Sequence, residues 1–333
     1  MTTDATPTAS DPTASAPAPR RRRRSGLLRD LVTLTKPGVT RMCALTAAGA
    51  AWMALRSADN PFGAETPADG WCSPGFAVAF AGVVGASLAV AGASALNMWL
   101  ERAKDPLMAR TRTRPLALPP GKRQLSPRTA LGFALALCFA AIAVLWLFTN
   151  LLTAVLAAWA IVGYALVYTP LKYRTPLALV IGAVPGAVPP LLGWTAVTGD
   201  IDAGGLALFA ILLVWQMPHF LAITLFRESD FARAGIQCVS VVRGSLVTRV
   251  QAVLWSIALV PVALGPTLIG LTGYLYAAVA LVLSLGFLAC ACTGMRTFAS
   301  KAEEQRWARR FFFASLLYLP ALIAALVVDV LVT

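Results

Sequence analysis

Nine apolar runs, each long enough to cross a hydrocarbon layer roughly 30 Å thick, constrain this chain more than any other feature. They lie near 39–56, 76–98, 129–148, 151–169, 177–198, 205–226, 250–270, 274–292 and 311–331. Inside lipid every backbone N–H and C=O must be satisfied within its own segment, so each run is predicted to be a helix. The predicted fold class is all-α: a polytopic membrane helix bundle with nine transmembrane helices. Only Thr149-Asn150 separates the third run from the fourth, a boundary that follows from length. Pro185, Pro189 and Pro190 predict a kinked or broken fifth helix, which is tolerated where backbone faces protein or a cavity. A mean hydropathy of +0.72 with 13% charged residues agrees, and excludes a soluble domain.

A net charge of +13 invites a nucleic-acid reading, but the distribution of that charge removes it. With the N-terminus in the cytoplasm and the C-terminus outside, every Lys and Arg but Arg56 falls on the cytoplasmic side. Asp59, Glu65, Asp69, Asp200, Asp202 and Asp329 fall outside. This asymmetry sets the orientation, and the charge becomes a matter of topology, with no nucleic-acid partner. Residues 1–35 read as a disordered basic cytoplasmic tail, and residues 36–333 as one nine-helix domain. Residues 1–19 are mostly Thr, Ala, Pro, Ser and Asp without apolar periodicity. Arg20 to Arg24, five arginines in a row, suit the anionic cytoplasmic leaflet. No apolar core begins before about residue 39, which argues against a cleaved signal peptide. One His and six Cys (43, 72, 138, 238, 290, 292), none in a Cys-x-x-Cys, offer no metal-ligand spacing.

Chemistry concentrates just after the second and sixth runs. Asn97, Glu101 and Asp105 are four apart, so a continuing helix stacks them on one face over about 12 Å. Pro106 can sit just past that helix. Arg110, Arg112 and Arg114 follow on alternate positions. Carboxylates hold a hard cation and guanidinium forks hold phosphate oxygens, so the stretch suits a magnesium diphosphate. The plain alternative is a helix end decorated with interfacial charge. After the sixth run, Arg227, Glu228, Asp230 and Arg233 form a possible second half-site. His219, the only histidine, lies inside that run, about 12 Å of helix before Arg227. An ionisable residue at such depth is a functional candidate; the alternative is a neutral ring bonded to a carbonyl freed by Pro218. Tyr164, Tyr168, Thr169, Lys172, Tyr173 and Arg174 make a third patch, which alone reads as a structural interfacial belt.

These features resemble the UbiA superfamily of intramembrane prenyltransferases. Three strings resemble its protoheme IX farnesyltransferase (heme O synthase) branch. They are Asp105-Pro-Leu-Met-Ala-Arg-Thr-Arg-Thr-Arg-Pro115, Tyr168-Thr-Pro-Leu-Lys-Tyr-Arg-Thr-Pro176 with Pro189-Pro-Leu-Leu-Gly-Trp194, and Trp215-Gln-Met-Pro-His-Phe220 with Asp230-Phe-Ala-Arg-Ala-Gly235. The likeness begins near Leu34-Thr-Lys-Pro-Gly38 and runs to the end. The chain departs from the pattern at Glu101, where the family has Asp, at Glu228-Ser229, where it has Lys and an acid, and at Gln237-Cys-Val-Ser240.

The resemblance implies transfer of a farnesyl group from farnesyl diphosphate to a vinyl carbon of heme b, with water addition, giving heme o and diphosphate. It implies Mg²⁺ on Asn97, Glu101, Asp105, Glu228 and Asp230, with Asn97, Glu101, Asp105, Asp230 and His219 catalytic. Arg110, Arg112, Arg114, Lys172, Arg174, Arg227 and Arg233 would bind diphosphate. His219, Tyr164, Tyr168 and Trp215 would line a heme and prenyl pocket, with His219 an iron ligand or a base. The implied partners are farnesyl diphosphate, heme b, membrane lipid and a heme A synthase or oxidase-assembly protein. The implied place is a bacterial inner membrane, with the site facing the cytoplasm. Two other readings compete: a prenyltransferase acting on an aromatic quinone precursor, and a transporter. Transporters usually carry broken helices in both halves, and only one Pro-rich run is visible here.

Overall fold

A computed structural model of the chain describes residues 26–57, 60–61, 73–118 and 125–332, and every regular element among them is helical. In chain order these are α1 (Leu27–Leu34), α2 (Pro37–Arg56), α3 (Pro74–Leu100), α4 (Pro127–Phe148) and α5 (Leu151–Leu171). Next come α6 (Ala178–Gly186), α7 (Val188–Thr198), α8 (Ala203–Phe226), α9 (Glu228–Arg233) and α10 (Val239–Val242). The last three are α11 (Gly244–Leu268), α12 (Tyr274–Cys292) and α13 (Lys301–Val332).

Local sequence sets the boundaries. Proline stands in the first turn of α2, α3 and α4, where its missing N–H costs nothing. Ser126, Asn150 and Asp202 cap α4, α5 and α8 by accepting backbone N–H bonds from Thr129, Thr153 and Gly205. The expected break in the fifth run falls at Ala187, between α6 and α7. Pro189 and Pro190 cannot donate to the carbonyls one turn back, so the ladder is interrupted there.

Eight helices among the described residues are long and apolar enough to cross a membrane, counting Ala178–Thr198 as one. The helix of the first expected span, α2, has 20 residues but is not among the eight. Its buried face is largely Ala, Gly and Thr, chosen for close packing, and this lowers its hydropathy. It lies against α3 and α7, where Gly193 admits the Ala47 carbonyl so closely that no side chain would fit. A Cβ on Gly92 of α3 would likewise stand 2.6 Å from the Cys138 sulfur on α4. Small residues thus draw the first half of the bundle together, as in other membrane helix pairs. In the second half α8 packs against α11 and α13 around Trp215, Tyr276, Phe287, Trp307 and Phe311. Phe80, Phe139, Trp146 and Leu147 point outward and exposed, as lipid-facing side chains do.

The structure alters the expectation for the tail. Residues 1–25 lie outside the described residues, but residues 27–34, placed with the tail by sequence, form α1. Leu31 and Leu34 seat this helix on Met98 and Leu116, and Leu34 is wholly buried. The leucines at 27, 31 and 34 have helical spacing, which the neighbouring arginine run obscured.

Candidate active site

The helix of α3 continues past its formal end. The Glu101 amide donates to Asn97 O at 3.0 Å, and the Asp105 amide donates to Glu101 O at 2.9 Å. Those i to i+4 bonds stack Asn97, Glu101 and Asp105 as the spacing predicts. All three are buried, Asp105 completely. Each faces a cation. Lys36 Nζ donates to Asn97 Oδ1 at 2.7 Å. Lys172 Nζ makes a short ion pair with Glu101 Oε1. Arg114 Nη1 reaches both Asp105 oxygens, at 2.8 and 3.0 Å, and lies 4.0 Å from Glu101 Oε2. Asn97 Nδ2 also donates to Thr169 Oγ1 at 3.0 Å, which ties the column to α5.

The second motif docks on the first. Asp230 Oδ1 accepts the Ala109 amide at 3.3 Å and pairs closely with Arg233, while Oδ2 lies 3.9 Å from Arg227. Burial pushes the Asp230 carboxyl up, but the Arg233 hydrogen bond, the Ala109 amide and the charges of Arg233 and Arg227 outweigh it and hold it below its ordinary range. Met108 packs with Ala234 and Ile236. The Gln237 amide donates to Lys172 O at 2.8 Å, so the loops after α3, α5 and α8 are joined.

Positive charge is in excess here. Burial and the charges of Arg114 and Arg227 lower the Arg110 guanidinium pKa, with Asp105 and Asp230 opposing. Arg110 therefore sits between the arginines of both motifs. Arg112 and Arg174 are exposed, and neither they nor the partly covered Arg110 make an ion pair with a described residue. The mutually repelling guanidinium groups of Arg110, Arg114 and Arg227 suit an anion with several oxygens.

Lys36 was not visible as a site residue in the sequence. Its backbone has φ 47°, the left-handed region, although a proline follows. That conformation costs on the order of 1–3 kcal/mol and persists only where the surroundings enforce it. Burial, then the Arg114 and Arg110 charges, lower its ammonium to about 7 against an ordinary 10.5, with Asp105 opposing. The available signal was a lone Lys before Pro37 at the entry to the first run.

The tyrosines lie beside the column. Tyr164 and Tyr168 stack at 5.4 Å in a π-helical turn of α5, Gly163–Tyr168. Lys36 lies over Tyr164 at 5.9 Å, and Lys172 over Tyr168 at 5.6 Å. Gly182 leaves room for the Tyr168 ring, since a Cβ there would overlap it. Trp215 and His219 form a separate pair on α8, stacked at 4.8 Å. Among the described residues no ring contact joins this pair to the tyrosines, so the four expected pocket residues stand as two groups. His219 does not bond a carbonyl freed by Pro218: its Nδ1 lies 2.7 Å from Ser315 Oγ on α13.

Glu228 is placed elsewhere. It accepts from Lys301 Nζ at 2.6 Å, and Lys301 also reaches Glu304. Its side chain turns toward α13, whereas Asp230, two residues on, pairs with the arginines beside Ala109. Among the described residues no three His, Cys, Asp or Glu side chains stand close enough to share a metal, so the five expected ligands do not form one cluster.

The sequence pattern of the UbiA prenyltransferase family matches residues 43–317. The chain belongs to the UbiA prenyltransferase family. It is 44% identical over 287 residues to a protoheme IX farnesyltransferase of Sorangium cellulosum, covering 86% of this chain and 99% of that one. It is 43% identical to a protoheme IX farnesyltransferase of Myxococcus xanthus, covering 90% and 94%. Among solved structures it resembles a digeranylgeranylglyceryl phosphate synthase, with a TM-score of 0.68 at 15% identity over 92% of this chain and 99% of that one. It also resembles a UbiA homologue from Archaeoglobus fulgidus bound to GPP and Mg²⁺, with a TM-score of 0.60 at 15% identity over 89% and 99%. At such identity the structural likeness concerns the UbiA fold.

A divalent cation fits this UbiA donor set. The acceptor atoms of Asn97, Glu101 and Asp105 are all oxygens, and a bound cation would share them with or take them from Lys36, Lys172 and Arg114. Mg²⁺ usually takes one or two carboxylates and completes its shell with substrate phosphate and water, so no closed protein cage is needed.

Proposed function

We propose that this chain transfers a farnesyl group from farnesyl diphosphate to the terminal vinyl carbon of heme b, with the hydroxyl of water added at the inner vinyl carbon and diphosphate and a proton released, to give heme o. The observation that carries the diphosphate half is the column Asn97, Glu101 and Asp105, matched one for one by Lys36, Lys172 and Arg114. The heme half rests on the names of the relatives, together with a lone imidazole on α8.

In this reading the allylic C–O bond breaks and its electron pair leaves with diphosphate. The terminal vinyl carbon attacks the farnesyl C1, a C–C bond forms, and water adds to the inner vinyl carbon with loss of a proton to the leaving diphosphate or solvent. Arg110 and Arg112 bind and orient the phosphate oxygens, with Arg174, Arg227 and Arg233 at the rim. Lys36, Lys172 and Arg114 hold the column in place and are available to diphosphate. Asn97, Glu101 and Asp105 would hold Mg²⁺, with Asp230 at the second motif. That ion, when bound, supplies charge neutralisation to the leaving group. Tyr164 and Tyr168 face the column with aromatic surfaces that favour a neighbouring cation.

The same reading places α2 as a ninth span, the N-terminus in the cytoplasm and the site at the cytoplasmic face of a bacterial inner membrane. A heme A synthase or oxidase-assembly protein would take the product. The test is purified chain incubated with farnesyl diphosphate, heme b and Mg²⁺, with extracted heme read by mass spectrometry. A farnesylated, hydrated heme is the expected product. No modified heme, with a prenylated phenol formed when a phenolic acceptor is supplied, overturns the assignment in favour of a quinone precursor.

A further inference from the structure

Ser315 determines which nitrogen of His219 carries the proton. Its Oγ lies 2.6 Å from the Phe312 carbonyl and 2.7 Å from His219 Nδ1. A carbonyl can only accept, so the single hydroxyl proton goes to Phe312. Toward the imidazole the hydroxyl then has only lone pairs. Nδ1 must be the donor, and in the neutral ring Nε2 keeps its lone pair. No described residue hydrogen-bonds to Nε2.

The ring is also held in orientation. Trp215 stacks on it at 4.8 Å with planes 24° apart, and Phe312 lies 4.9 Å away. Trp215 is itself fixed, its Nε1 donating to the Ser315 carbonyl at 3.0 Å. The side-chain oxygen of Ser315 thus holds His219, and its main-chain oxygen holds the tryptophan stacked on it.

We propose that Ser315 is a positioning residue that fixes His219 in the Nδ1–H form, so that Nε2 is presented as a ligand to porphyrin iron. This rests on heme b being the acceptor. A histidine that ligates a metal donates its other N–H to an outer partner, which sets both tautomer and ring orientation. The serine hydroxyl fills that place here. The arrangement favours ligation over proton transfer. A proton taken up at Nε2 would leave an imidazolium among Trp215, Phe220 and Phe312, with no described carboxylate in contact. The hydrogen-bond chain ends at the Phe312 carbonyl, which cannot carry a proton onward.

His219 is the only histidine in the sequence, so ¹⁵N-histidine labelling of the full chain, purified in detergent with a histidine-free tag, reports one imidazole. The expected spectrum shows Nδ1 protonated and Nε2 bare. Ser315→Ala is expected to give mixed tautomers, and Ser315→Thr, which keeps the hydroxyl, restores one. A wild-type ring protonated at Nε2 overturns the proposal without reference to heme. The second arm titrates heme b and follows its absorption. His219→Ala and Ser315→Ala are expected to shift the bound spectrum in the same direction. Ser315→Ala should weaken affinity by roughly 10–100-fold, the usual cost of losing such a partner, and Ser315→Thr should recover it. A shifted spectrum in His219→Ala beside a wild-type spectrum in Ser315→Ala overturns the positioning role alone. Wild-type protein that binds no heme, with Nδ1 still protonated, overturns the ligand role together with the heme reading while the tautomer stands.

Discussion

Asp230 accepts the main-chain amide of Ala109, 121 residues away, at 3.3 Å. One carboxylate oxygen therefore holds the arginine loop after α3, while the same side chain gathers Arg227 and Arg233 from its own motif. Asp230 is thus a strut between the two motifs, whatever else it binds.

Asp230→Ala should therefore release the loop as well as remove a charge. Affinity for inorganic diphosphate and farnesyl transfer are expected to fall together, with a stability loss of about 0.5–1.5 kcal/mol for the lost hydrogen bond. Calorimetric titration beside turnover checks this; wild-type values of both would refute the strut.

Glu228→Gln gives the contrasting case. Its partner Lys301 is half exposed, and such pairs contribute about 0–1 kcal/mol. Mg²⁺ dependence and turnover are expected to stay at wild-type levels. A raised Mg²⁺ requirement would restore Glu228 as a metal ligand.

Lys36 makes binding depend on pH. Held near 7, its ammonium loses its proton well below its ordinary 10.5. Between those values the unfolded chain binds the extra proton and the folded one does not, so this residue makes stability rise with pH across that window. Diphosphate needs the protonated form, so its affinity should fall above about pH 7, by at most roughly tenfold per pH unit. Titrations from about pH 6 to about pH 9 are expected to show this slope in wild type, with the Lys36→Met variant flatter and weaker at low pH. Equal slopes would show that Lys36 does not meet the anion.

Orientation has its own readout. In a chain stripped of native cysteines, Ile201→Cys should react with an impermeant thiol reagent added to intact cells, and Ser300→Cys should not. Both positions are exposed, so the contrast reports sidedness. Reversed labelling would move the site to the outer face.

Local signals in the sequence determined much of this protein. Apolar runs near 30 Å long can satisfy their backbones in lipid only as helices, and eight of the nine expected runs became helices long and apolar enough to cross a membrane, counting the fifth across its break beside Pro189 and Pro190. The column Asn97, Glu101 and Asp105 was legible because helical spacing alone puts those side chains on one face. Tertiary structure decided what spacing cannot carry. The pairing of Lys36 with Asn97 joins residues 61 apart, and that of His219 with Ser315 residues 96 apart. Which acid joined the site was likewise a matter of packing. Asp230 and Glu228 are two apart on one helical turn and point different ways, Asp230 toward Ala109 and Glu228 toward Lys301. Helix ends carry many charges that local periodicity treats alike. Only the approach of the α2 start, α5 and α13 to those ends selects which of them are buried together, because desolvation and pairing act between elements that are distant in the chain.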